Sequence, residues 1–416
     1  MLEVAPIRCG QVRDHVQGIR ARPHRIALLC GSSRQGVRSG RRVMRRRSAG
    51  RWPIAAVLVG VAMLVLGVAA PAASAAPSDP SVAARLAELI GVDGRPAAIA
   101  ASDSISGLSG GFASDTVGYG PPQRSFLAAF GYGLFHPDAA PPGSNDWNCR
   151  PTAAHPRPVV LLHGTWMNAY NSFAYMSGPL QDAGLCTFAF NYGRSGPIQG
   201  GGVPPLLPGV MGTGDIADSA RQLAGFVDRV RAATGAAQVD LVGYSQGAAM
   251  ANWYTRFEGG ADKVGQLVSF GGTHHGTTLD GIGLLGRMIN NIGLNVIGAA
   301  GVVVGDAAIQ QTVGSNFVGR LNADGDTVPG IDYTVVGTRY DEIVTPYQST
   351  FLRPGAGASV ADITLQDGCE QDLSDHQTLM YSPRALSIVL RALDPAGHPD
   401  LVCTFNPWLI GGGGGL

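Results

Sequence analysis

One pentapeptide constrains this chain more than any other feature: the G-x-S-x-G motif Gly243-Tyr244-Ser245-Gln246-Gly247. It follows the apolar run 239–243 and precedes a helix-compatible segment, residues 246–258. So sharp a turn from strand to helix puts the serine in strained backbone angles and requires glycine on both sides. A glycine-rich chain can contain the pentapeptide by chance, but its place between strand and helix argues against that. The motif predicts a serine hydroxyl above the sheet edge, beside a helix N-terminus that favours negative charge.

The apolar pattern around the motif alternates between short strand-like runs and amphipathic helical segments. Such alternation predicts an α/β fold, with a mostly parallel central sheet and helices on both faces. The predicted strands are 158–162, 186–192, 239–243, 265–270 and 331–337, and the predicted helices are 171–183, 215–235, 246–258 and one that begins at Ser382-Pro383. Ser382 is expected to cap this last helix, with proline at its first position.

Composition excludes two classes of protein. Of 416 residues, 45% are hydrophobic and 14% are charged, so disorder over the whole length is excluded. The formal net charge of zero conceals an asymmetry, because residues 1–51 hold 13 Arg against Glu3 and Asp14 while residues 52–76 carry no charge. The remainder is therefore acidic. A nucleic-acid binder keeps its basic residues in the folded part, so that class is excluded as well.

The basic and apolar stretches near the start resemble a targeting signal. Basic residues 45–51 precede the apolar run 54–70, and the small residues 73–76 follow it. This order predicts a secretory signal peptide over residues 44–76 that begins at Met44, with residues 1–43 a mis-assigned start or a dispensable leader. An uncleaved membrane anchor is the alternative, but the run is marginal in length for a span. We expect a secreted, extracellular protein.

The rest of the chain divides by composition. Residues 77–144 are rich in Ala, Gly, Ser and Pro and predict a partly disordered extension with two short helices. Residues 145–410 carry the strand and helix pattern and predict the catalytic domain, and residues 411–416 form a Gly-rich tail.

Cysteine usage agrees with export. Four cysteines follow the predicted signal: Cys149, Cys186, Cys369 and Cys403. An even count in an exported chain predicts two disulfides, and the sequence alone permits three pairings. No C-x-x-C spacing occurs, so we expect no zinc site.

A serine hydroxyl is a weak nucleophile and needs a base oriented by a carboxylate. On this kind of sheet the order along the chain is serine, acid, histidine. His376 precedes an apolar helix in a loop expected at the carboxyl edge of the sheet, whereas His398 follows the last helix and is expected to be solvated. His376 is the predicted base.

The predicted acid is Asp341, the first carboxylate after the strand 331–337. Glu342 is the reserve candidate, and Asp375 is interpreted as a local turn-former. The alternative is that Asp341 and Glu342 are ordinary solvated loop acids.

Two backbone N–H groups are expected to face the negative oxygen of a tetrahedral intermediate. One belongs to Gln246, directly after the nucleophile, and the other to Thr165, in the loop after the first strand. Gly164 permits the backbone turn there, and His163 is expected to pack structurally.

The adjacent pair His274-His275 resembles a metal site. Neighbouring side chains on a strand face opposite ways, and no acidic residue is near in the sequence, so structural roles are predicted. We expect no metal and no cofactor.

With these residues in place, the chain resembles the class 2 lipases secreted by actinobacteria and, more distantly, lipase B of the yeast Candida antarctica. The resemblance covers residues 145–410. It rests on motifs in the expected order: His163-Gly164-Thr165, Tyr244-Ser245-Gln246-Gly247 with Asn252-Trp253, Gln310-Gln311-Thr312, Tyr340-Asp341-Glu342-Ile343-Val344 and Asp375-His376. It implies an α/β hydrolase fold, the triad Ser245, Asp341 and His376, and the oxyanion hole of Thr165 and Gln246. It also supports the disulfides Cys149–Cys186 and Cys369–Cys403, each closing a loop of about 35 residues.

The expected activity is hydrolysis of lipid or other carboxylic esters. The same pentapeptide occurs in cutinases, but their serine and histidine lie much closer in sequence. An extracellular acyltransferase with the same triad, and a non-catalytic interaction protein on this scaffold, remain alternatives. The expected partners are an ester or lipid substrate and, transiently, lipid surfaces, with no nucleic acid, and the chain is expected to be a monomer.

An apolar insertion between residues 272 and 331 predicts where an acyl chain binds. Arg287 is its only charge between Asp280 and Asp306. In this kind of fold such a segment lies over the carboxyl edge of the sheet, so Leu285 and Ile289 are predicted to contact substrate in a lid-like cover. Ordinary core packing is the alternative, because buried helices look alike in sequence.

Overall fold

A parallel six-stranded sheet forms the centre of the protein. The computed structural model describes residues 118–196, 200–277, 304–313 and 315–414. Its strands run in the order β2-β1-β3-β4-β5-β6, and every neighbouring pair is parallel. They are β1 Val159–Leu162, β2 Thr187–Ala189, β3 Val239–Tyr244, β4 Val264–Phe270, β5 Asp332–Gly337 and β6 Ser359–Thr364.

Eight α-helices of the described residues surround this sheet. They are α1 Phe126–Phe135, α2 Ala169–Phe173, α3 Ser177–Asp182, α4 Ile216–Thr234, α5 Gln246–Phe257, α6 Asp306–Gln310, α7 Asn316–Leu321 and α8 Pro383–Leu393. The helix predicted at Ser382-Pro383 starts as its sequence requires. The Ser382 hydroxyl accepts a hydrogen bond from the Ala385 backbone N–H at 3.1 Å, and Pro383 occupies the first turn.

Alternate residues of the strands point to opposite faces of the sheet, and each face has its own core. On β1, Val159 and Leu161 pack on the face that carries α1, α2, α3 and α8. Val160 and Leu162 pack on the other face, with α4, α5 and α7. Strands buried on both sides must be apolar throughout, which is why β1 reads as a continuous hydrophobic run. The predicted α/β class is confirmed.

The packed part of the chain extends upstream of residue 145. The sequence pattern predicts a partly disordered extension with two short helices over residues 77–144, and α1, within 118–144, buries Phe126 and Leu134 in the core. Its glycines weaken the helical pattern, so the sequence gives no bounds for this helix. Gly133 is required by packing, since a Cβ there would lie 3.0 Å from Oδ1 of Asn168, whose Nδ2 donates to the Gly133 carbonyl at 3.0 Å.

The edge strand β6 is also absent from the sequence prediction. Most of its side chains are exposed or half-buried, so it lacks the apolar run that marks a strand packed on both sides. It pairs with β5 along six residues, from Asp332 opposite Ser359 to Gly337 opposite Thr364.

Two disulfides join the pairs that the resemblance implies, Cys149–Cys186 and Cys369–Cys403. The first ties the segment before β1 to the residue before β2. The second ties the loop before His376 to the C-terminal segment. Across the described ranges, no helix has the length and apolar character needed to cross a membrane.

Several predicted segments lie outside the described residues. They are the leader 1–43, the signal peptide 44–76, residues 77–117 of the extension, and Leu285 and Ile289 of the apolar insertion.

Candidate active site

Ser245 lies in the sharp turn that its motif predicts. It directly follows β3 and caps α5 with φ 55° and ψ −121°, angles that a non-glycine residue rarely adopts. Both flanking glycines are required. A Cβ on Gly243 would lie 2.6 Å from the Ala248 backbone, and one on Gly247 would lie 2.4 Å from the Leu162 carbonyl oxygen. The turn is therefore fixed by backbone contacts that no larger residue could make.

Three predicted site residues form a hydrogen-bonded line. His376 Nε2 lies 3.0 Å from Ser245 Oγ, and His376 Nδ1 lies 2.9 Å from Asp341 Oδ2. All three residues are buried, with exposed fractions of 5% for Ser245, 3% for His376 and 8% for Asp341. Low exposure keeps water from competing for these bonds and strengthens their electrostatics. At these distances the imidazole can take a proton from the serine hydroxyl, while the carboxylate orients the imidazole and stabilises the cation that forms.

The acid loop holds one oxygen of Asp341 so that the other faces the imidazole. Asp341 Oδ1 accepts hydrogen bonds from the backbone N–H groups of Ile343 at 3.0 Å and Val344 at 2.6 Å. Two backbone donors fix the rotation of this carboxylate. Oδ2 then accepts the Nδ1–H of His376, which leaves Nε2 free to take a proton from Ser245.

The other two acids near His376 occupy different positions. Glu342 Oε2 accepts from the backbone N–H of His376 at 3.2 Å, so its bond is to the main chain and not to the ring. Asp375 accepts from the Thr378 backbone N–H at 2.8 Å and from the Leu409 backbone N–H at 2.9 Å, which makes it the turn-former that the sequence suggests. Neither carboxyl group replaces Asp341 at the imidazole.

Charge around the imidazole outweighs the effect of burial on it. Burial alone would lower the pKa of His376, but the charge of Asp341 and its hydrogen bond, followed by the charges of Glu342 and Asp375, raise this pKa above its ordinary value. Burial, reinforced by the charges of Asp375 and Asp341, in turn raises the pKa of Glu342 to about 8. At neutral pH the Glu342 carboxyl is thus mainly protonated, which limits the negative charge at the site.

Thr165 and Gln246 lie side by side next to the serine. The Thr165 hydroxyl donates to Gln246 Oε1 at 3.2 Å. Directly before Thr165, the backbone of Gly164 passes close to the serine motif. A Cβ on Gly164 would lie 2.9 Å from the Tyr244 ring and 3.3 Å from Ser245 Cβ. Gly164 is therefore needed for this approach. The loop after β1, residues 163–167, carries the predicted oxyanion donor Thr165 and is therefore named the oxyanion loop.

His163 packs beneath this loop. It is fully buried and stacks on the Tyr192 ring at 3.9 Å, and its Nε2 accepts the Tyr192 backbone N–H at 3.3 Å. Burial lowers its pKa to about 4, so it stays neutral at physiological pH. This is the structural role predicted for it.

Two residues that position the site are absent from the sequence interpretation. The Tyr244 hydroxyl donates to the His376 carbonyl oxygen at 3.0 Å and so ties the nucleophile strand to the histidine loop. Gly271, with φ 54°, passes the Asp–His pair so closely that a Cβ would lie 3.1 Å from His376 Nδ1. Tyr244 stands in a variable position of the G-x-S-x-G motif, so the motif does not predict a role for it. Gly271 directly follows an apolar strand, and a glycine at a strand end is a sequence signal for a close backbone approach.

The adjacent histidines have separate surroundings. His274 is buried and its Nε2 lies 2.9 Å from Ser269 Oγ, and burial lowers its pKa to about 3. His275 Nδ1 lies 2.9 Å from the Ser349 carbonyl oxygen, and its Nε2 lies 3.2 Å from Asp326. Asp326 is thus an acidic neighbour of His275 in space, although it lies 51 positions away in the sequence. Within the described ranges no group of three or more His, Cys, Asp or Glu residues is arranged to hold a metal ion.

A parallel sheet with a strained serine between its strand and the following helix defines an α/β hydrolase. A family model for lipase (class 2) matches residues 156–384, more than half of the chain. The chain therefore belongs to the class 2 lipase family.

Among solved structures, the chain is similar to Aspergillus fumigatus lipase B, with 19% identity, a TM-score of 0.45, and coverage of 57% of this chain and 52% of that one. This chain thus spans about half the length of the Aspergillus protein. It is also similar to Bacillus licheniformis lipase BlEst2 in its mature form, with 15% identity, a TM-score of 0.42, and coverage of 59% of this chain and 94% of that one. No curated protein matches the chain significantly.

Proposed function

We propose that this protein is a secreted serine esterase or lipase that hydrolyses carboxylic esters of lipids through an acyl-enzyme. The observation that carries the proposal is the buried line from Asp341 through His376 to Ser245, with hydrogen bonds of 2.9 and 3.0 Å at a strained strand-to-helix turn. Membership of the class 2 lipase family supports the choice of an ester substrate.

In the first half of the reaction, Ser245 Oγ attacks the ester carbonyl carbon while its proton passes to His376 Nε2. The carbonyl π electrons move to the oxygen, which becomes negative and accepts hydrogen bonds from the backbone N–H groups of Thr165 and Gln246. Asp341 stabilises the imidazolium that forms. Collapse of the intermediate breaks the bond to the alcohol oxygen, which takes the proton from His376 and leaves as the alcohol.

In the second half, a water molecule attacks the acyl carbon of the Ser245 ester and gives one proton to His376. The second tetrahedral intermediate collapses by breaking the bond to Ser245 Oγ, which recovers that proton. The products are a carboxylic acid and free enzyme. No cofactor enters either step, because every proton and electron pair is supplied by the triad, the ester and water.

The direct test is Ser245→Ala, assayed with p-nitrophenyl esters of several chain lengths. The variant should lose kcat by roughly a thousandfold or more, since the nucleophile is removed. Ser359→Ala, at the exposed edge strand, removes a hydroxyl far from the site and should retain activity. Full esterase activity in Ser245→Ala would contradict the proposal.

A fluorophosphonate probe and an acceptor alcohol separate the alternatives. Labelling of Ser245 supports a competent nucleophile, whereas failure to label the wild type would favour a non-catalytic interaction protein. If a lipid ester plus an alcohol yields mainly a new ester and little free acid, the protein is an acyltransferase.

We also propose that the apolar insertion provides the acyl site, with Leu285 and Ile289 in contact with the substrate chain. Its composition supports this, and so do two contacts made near the ends of its apolar part. Near the start, the Thr277 hydroxyl donates to the Ile343 carbonyl oxygen at 2.7 Å, in the loop that holds Asp341. Near the end, the Val304 carbonyl oxygen accepts from Trp166 Nε1 at 2.9 Å, in the oxyanion loop. Both ends thus contact loops that carry the proposed machinery.

Leu285→Asp and Ile289→Asp test this proposal. Each should depress kcat/KM for long-chain esters by roughly tenfold or more while acetate esters change little, because only a long chain would bury against the altered position. Equal losses for both substrates would mean that the segment is ordinary core.

Export through residues 44–76 is supported by the order of basic, apolar and small residues and by two disulfides, which persist in oxidising compartments. The actinobacterial class 2 lipases that the sequence resembles are secreted as well. N-terminal sequencing of protein from a culture supernatant tests it. A mature start close after residue 76 is expected, and retention in the membrane fraction would indicate an anchor.

A further inference from the structure

Gln311 has no part in the reaction described above, yet its side chain joins the oxyanion loop to the segment after β4. It directly follows α6 and is 5% exposed. Its Nε2 donates to Thr165 Oγ1 at 2.7 Å and to the Ala307 carbonyl oxygen at 2.9 Å, while its Oε1 accepts from the Thr273 hydroxyl at 2.9 Å. One buried amide thus fixes three separate parts of the chain.

The orientation of this amide is determined by its partners. A carbonyl oxygen only accepts hydrogen bonds, so the Gln311 atom beside Ala307 must be the NH₂ group. The same NH₂ group then donates to Thr165, whose hydroxyl oxygen acts as the acceptor. With both N–H donors and the oxygen engaged, a rotation of the amide by 180° would leave buried polar groups unpaired, at considerable cost.

This orientation decides what the Thr165 hydroxyl does. Because its oxygen accepts from Gln311, its single proton is directed elsewhere, and it reaches Gln246 Oε1 at 3.2 Å. The chain Thr273–Gln311–Thr165–Gln246 therefore ends at the two residues whose backbone N–H groups face the proposed oxyanion. A second bond holds the same loop, from Trp166 Nε1 to the Val304 carbonyl oxygen.

We propose that Gln311 is a positioning residue for the oxyanion hole. Its side chain holds the Thr165 backbone in the position and orientation from which the Thr165 N–H can donate to the oxyanion. This inference rests on the proposed ester hydrolysis. Donors that face a transient negative charge lower the barrier only if they are already in place, and an error of about 1 Å can cost a hundredfold in rate. Thr165 is half-buried in a loop, so a fixed anchor matters more for it than for Gln246, which begins helix α5.

The test compares Gln311→Leu and Gln311→Glu with the wild type. Leucine removes the amide, and glutamate keeps its shape but replaces the NH₂ group with oxygen. Both should lower kcat for a short ester by roughly 10- to 100-fold with little change in KM, because ground-state binding does not use the negative oxygen. Asn252→Leu is the matched control. It removes a buried amide that donates to the Asp326 carbonyl oxygen at 2.9 Å, away from the site, and should lower Tm while kcat is retained.

Phenylboronic acid gives a readout that does not depend on ester turnover. Its boron accepts a lone pair from Ser245 Oγ while the serine proton passes to His376, and the adduct is a tetrahedral anion that uses the oxyanion hole. Its Kd, measured by calorimetry, should rise in both Gln311 variants by about the factor lost in kcat. A residue with a merely structural role would lower Tm and leave this Kd unchanged.

A double-mutant cycle with Thr165→Val tests whether Gln311 affects kcat through Thr165. If Gln311 acts through Thr165, Gln311→Leu should cost little further kcat once the threonine hydroxyl is absent. Fully additive losses, or wild-type kcat and boronate affinity in both Gln311 variants, would overturn the positioning role and leave ester hydrolysis standing. A wild-type protein with neither ester turnover nor boronate binding would overturn both.

Discussion

The side chains on the two sides of Ser245 differ in charge. On the oxyanion side the side chains of Thr165, Gln246, Gln311 and Thr273 form a neutral chain of hydroxyls and amides. On the side of the base, three carboxyl groups surround the imidazole of His376: Asp341, Glu342 and Asp375. Most of these side chains are buried, and both sides use hydrogen bonds to hold their positions.

The difference follows from the charge that each side must accommodate. In the proposed reaction the oxyanion side receives a negative charge that exists only in the intermediate, so neutral donors already in place suffice and a fixed negative charge would repel it. The other side receives a transient positive charge on His376, which carboxylates stabilise in advance. The cost is a raised pKa of His376, since the base must be unprotonated to act. Activity should therefore decline as pH falls through a value above the ordinary histidine pKa.

The largest expected effect separates the two neighbouring acids on the charged side. Asp341→Asn should lower kcat by roughly a thousandfold or more, because the imidazolium loses the carboxylate at its Nδ1. Glu342→Gln should stay within a few-fold at neutral pH, since glutamine resembles the protonated carboxyl and can still accept from the His376 backbone N–H. Steady-state kinetics with p-nitrophenyl butyrate would measure both, and the reverse order would exchange their roles.

A smaller effect is expected from crowding the neutral side. Gly164→Ala would place a Cβ 2.9 Å from the Tyr244 ring and 3.3 Å from Ser245 Cβ, so the oxyanion loop must shift. We expect kcat to fall by roughly 10- to 100-fold, with a loss of about 1–3 kcal/mol in the free energy of unfolding. Gly225→Ala, in α4 with open space around its Cβ position, is the matched control and should leave kcat unchanged while gaining slightly in stability. Unchanged kcat in Gly164→Ala would show that the loop tolerates displacement.

The smallest effect concerns the pH dependence of stability. The folded-state pKa of Glu342 is about 8, above its ordinary value of 4.5, so the folded state binds more protons than the unfolded state between these two pH values. The free energy of unfolding must then fall as pH rises through this window. Glu342→Gln removes that dependence, so its Tm should match the wild type near pH 4 and exceed it near pH 9. Thermal unfolding at both pH values would measure this, with Asp262→Asn on the surface as a control for charge.

The same substitution should leave the acid side of the activity profile nearly in place. Glu342 is mainly protonated at neutral pH, so it adds little negative charge beside His376 there, and the acid limb of kcat/KM against pH should move little in Glu342→Gln. A limb that moves clearly to lower pH would mean that Glu342 is charged and contributes to the raised pKa of His376.

Local sequence patterns predicted most of the elements that carry the site. The strands β1, β3, β4 and β5 are apolar on both faces, and such runs are visible without tertiary information. The edge strand β6 was missed because its side chains are mostly exposed. Helix α1 lies in the extension for which two short helices were predicted without bounds, because its glycines and the surrounding prolines resemble a linker, although Phe126 and Phe130 are buried in the core.

The nucleophile was predictable because its geometry is local. The backbone angles of Ser245 follow from five consecutive residues, and Gly243 is required by its contact with the nearby Ala248 backbone. Gly247 is required by the Leu162 carbonyl oxygen of β1, a contact that the pentapeptide does not show. His376 could be selected by its order after the acid and by the helix that follows it. Asp341 could be selected over Glu342 only because it is the first carboxylate after β5.

What separates Asp341 from Glu342 is the atom of His376 that each one contacts, and both contacts are tertiary. Asp341 reaches Nδ1 of the ring, while Glu342, from the same loop, reaches the backbone N–H. A protein sequence lists both carboxylates side by side and contains no rotation angle, so it cannot distinguish these two contacts.

The sequence by itself determined the class of fold, the strained turn at Ser245, and the order of the three residues that the fold brings together. Only the tertiary structure decided that Tyr244 holds the His376 loop, that Gln311 holds Thr165, and that Gly271 leaves room for the Asp–His pair. The first set depends on backbone geometry and apolar periodicity, which act over a few residues. The second depends on contacts between residues that are 70 to 146 positions apart in the chain, whose distances are set by strand register and helix packing.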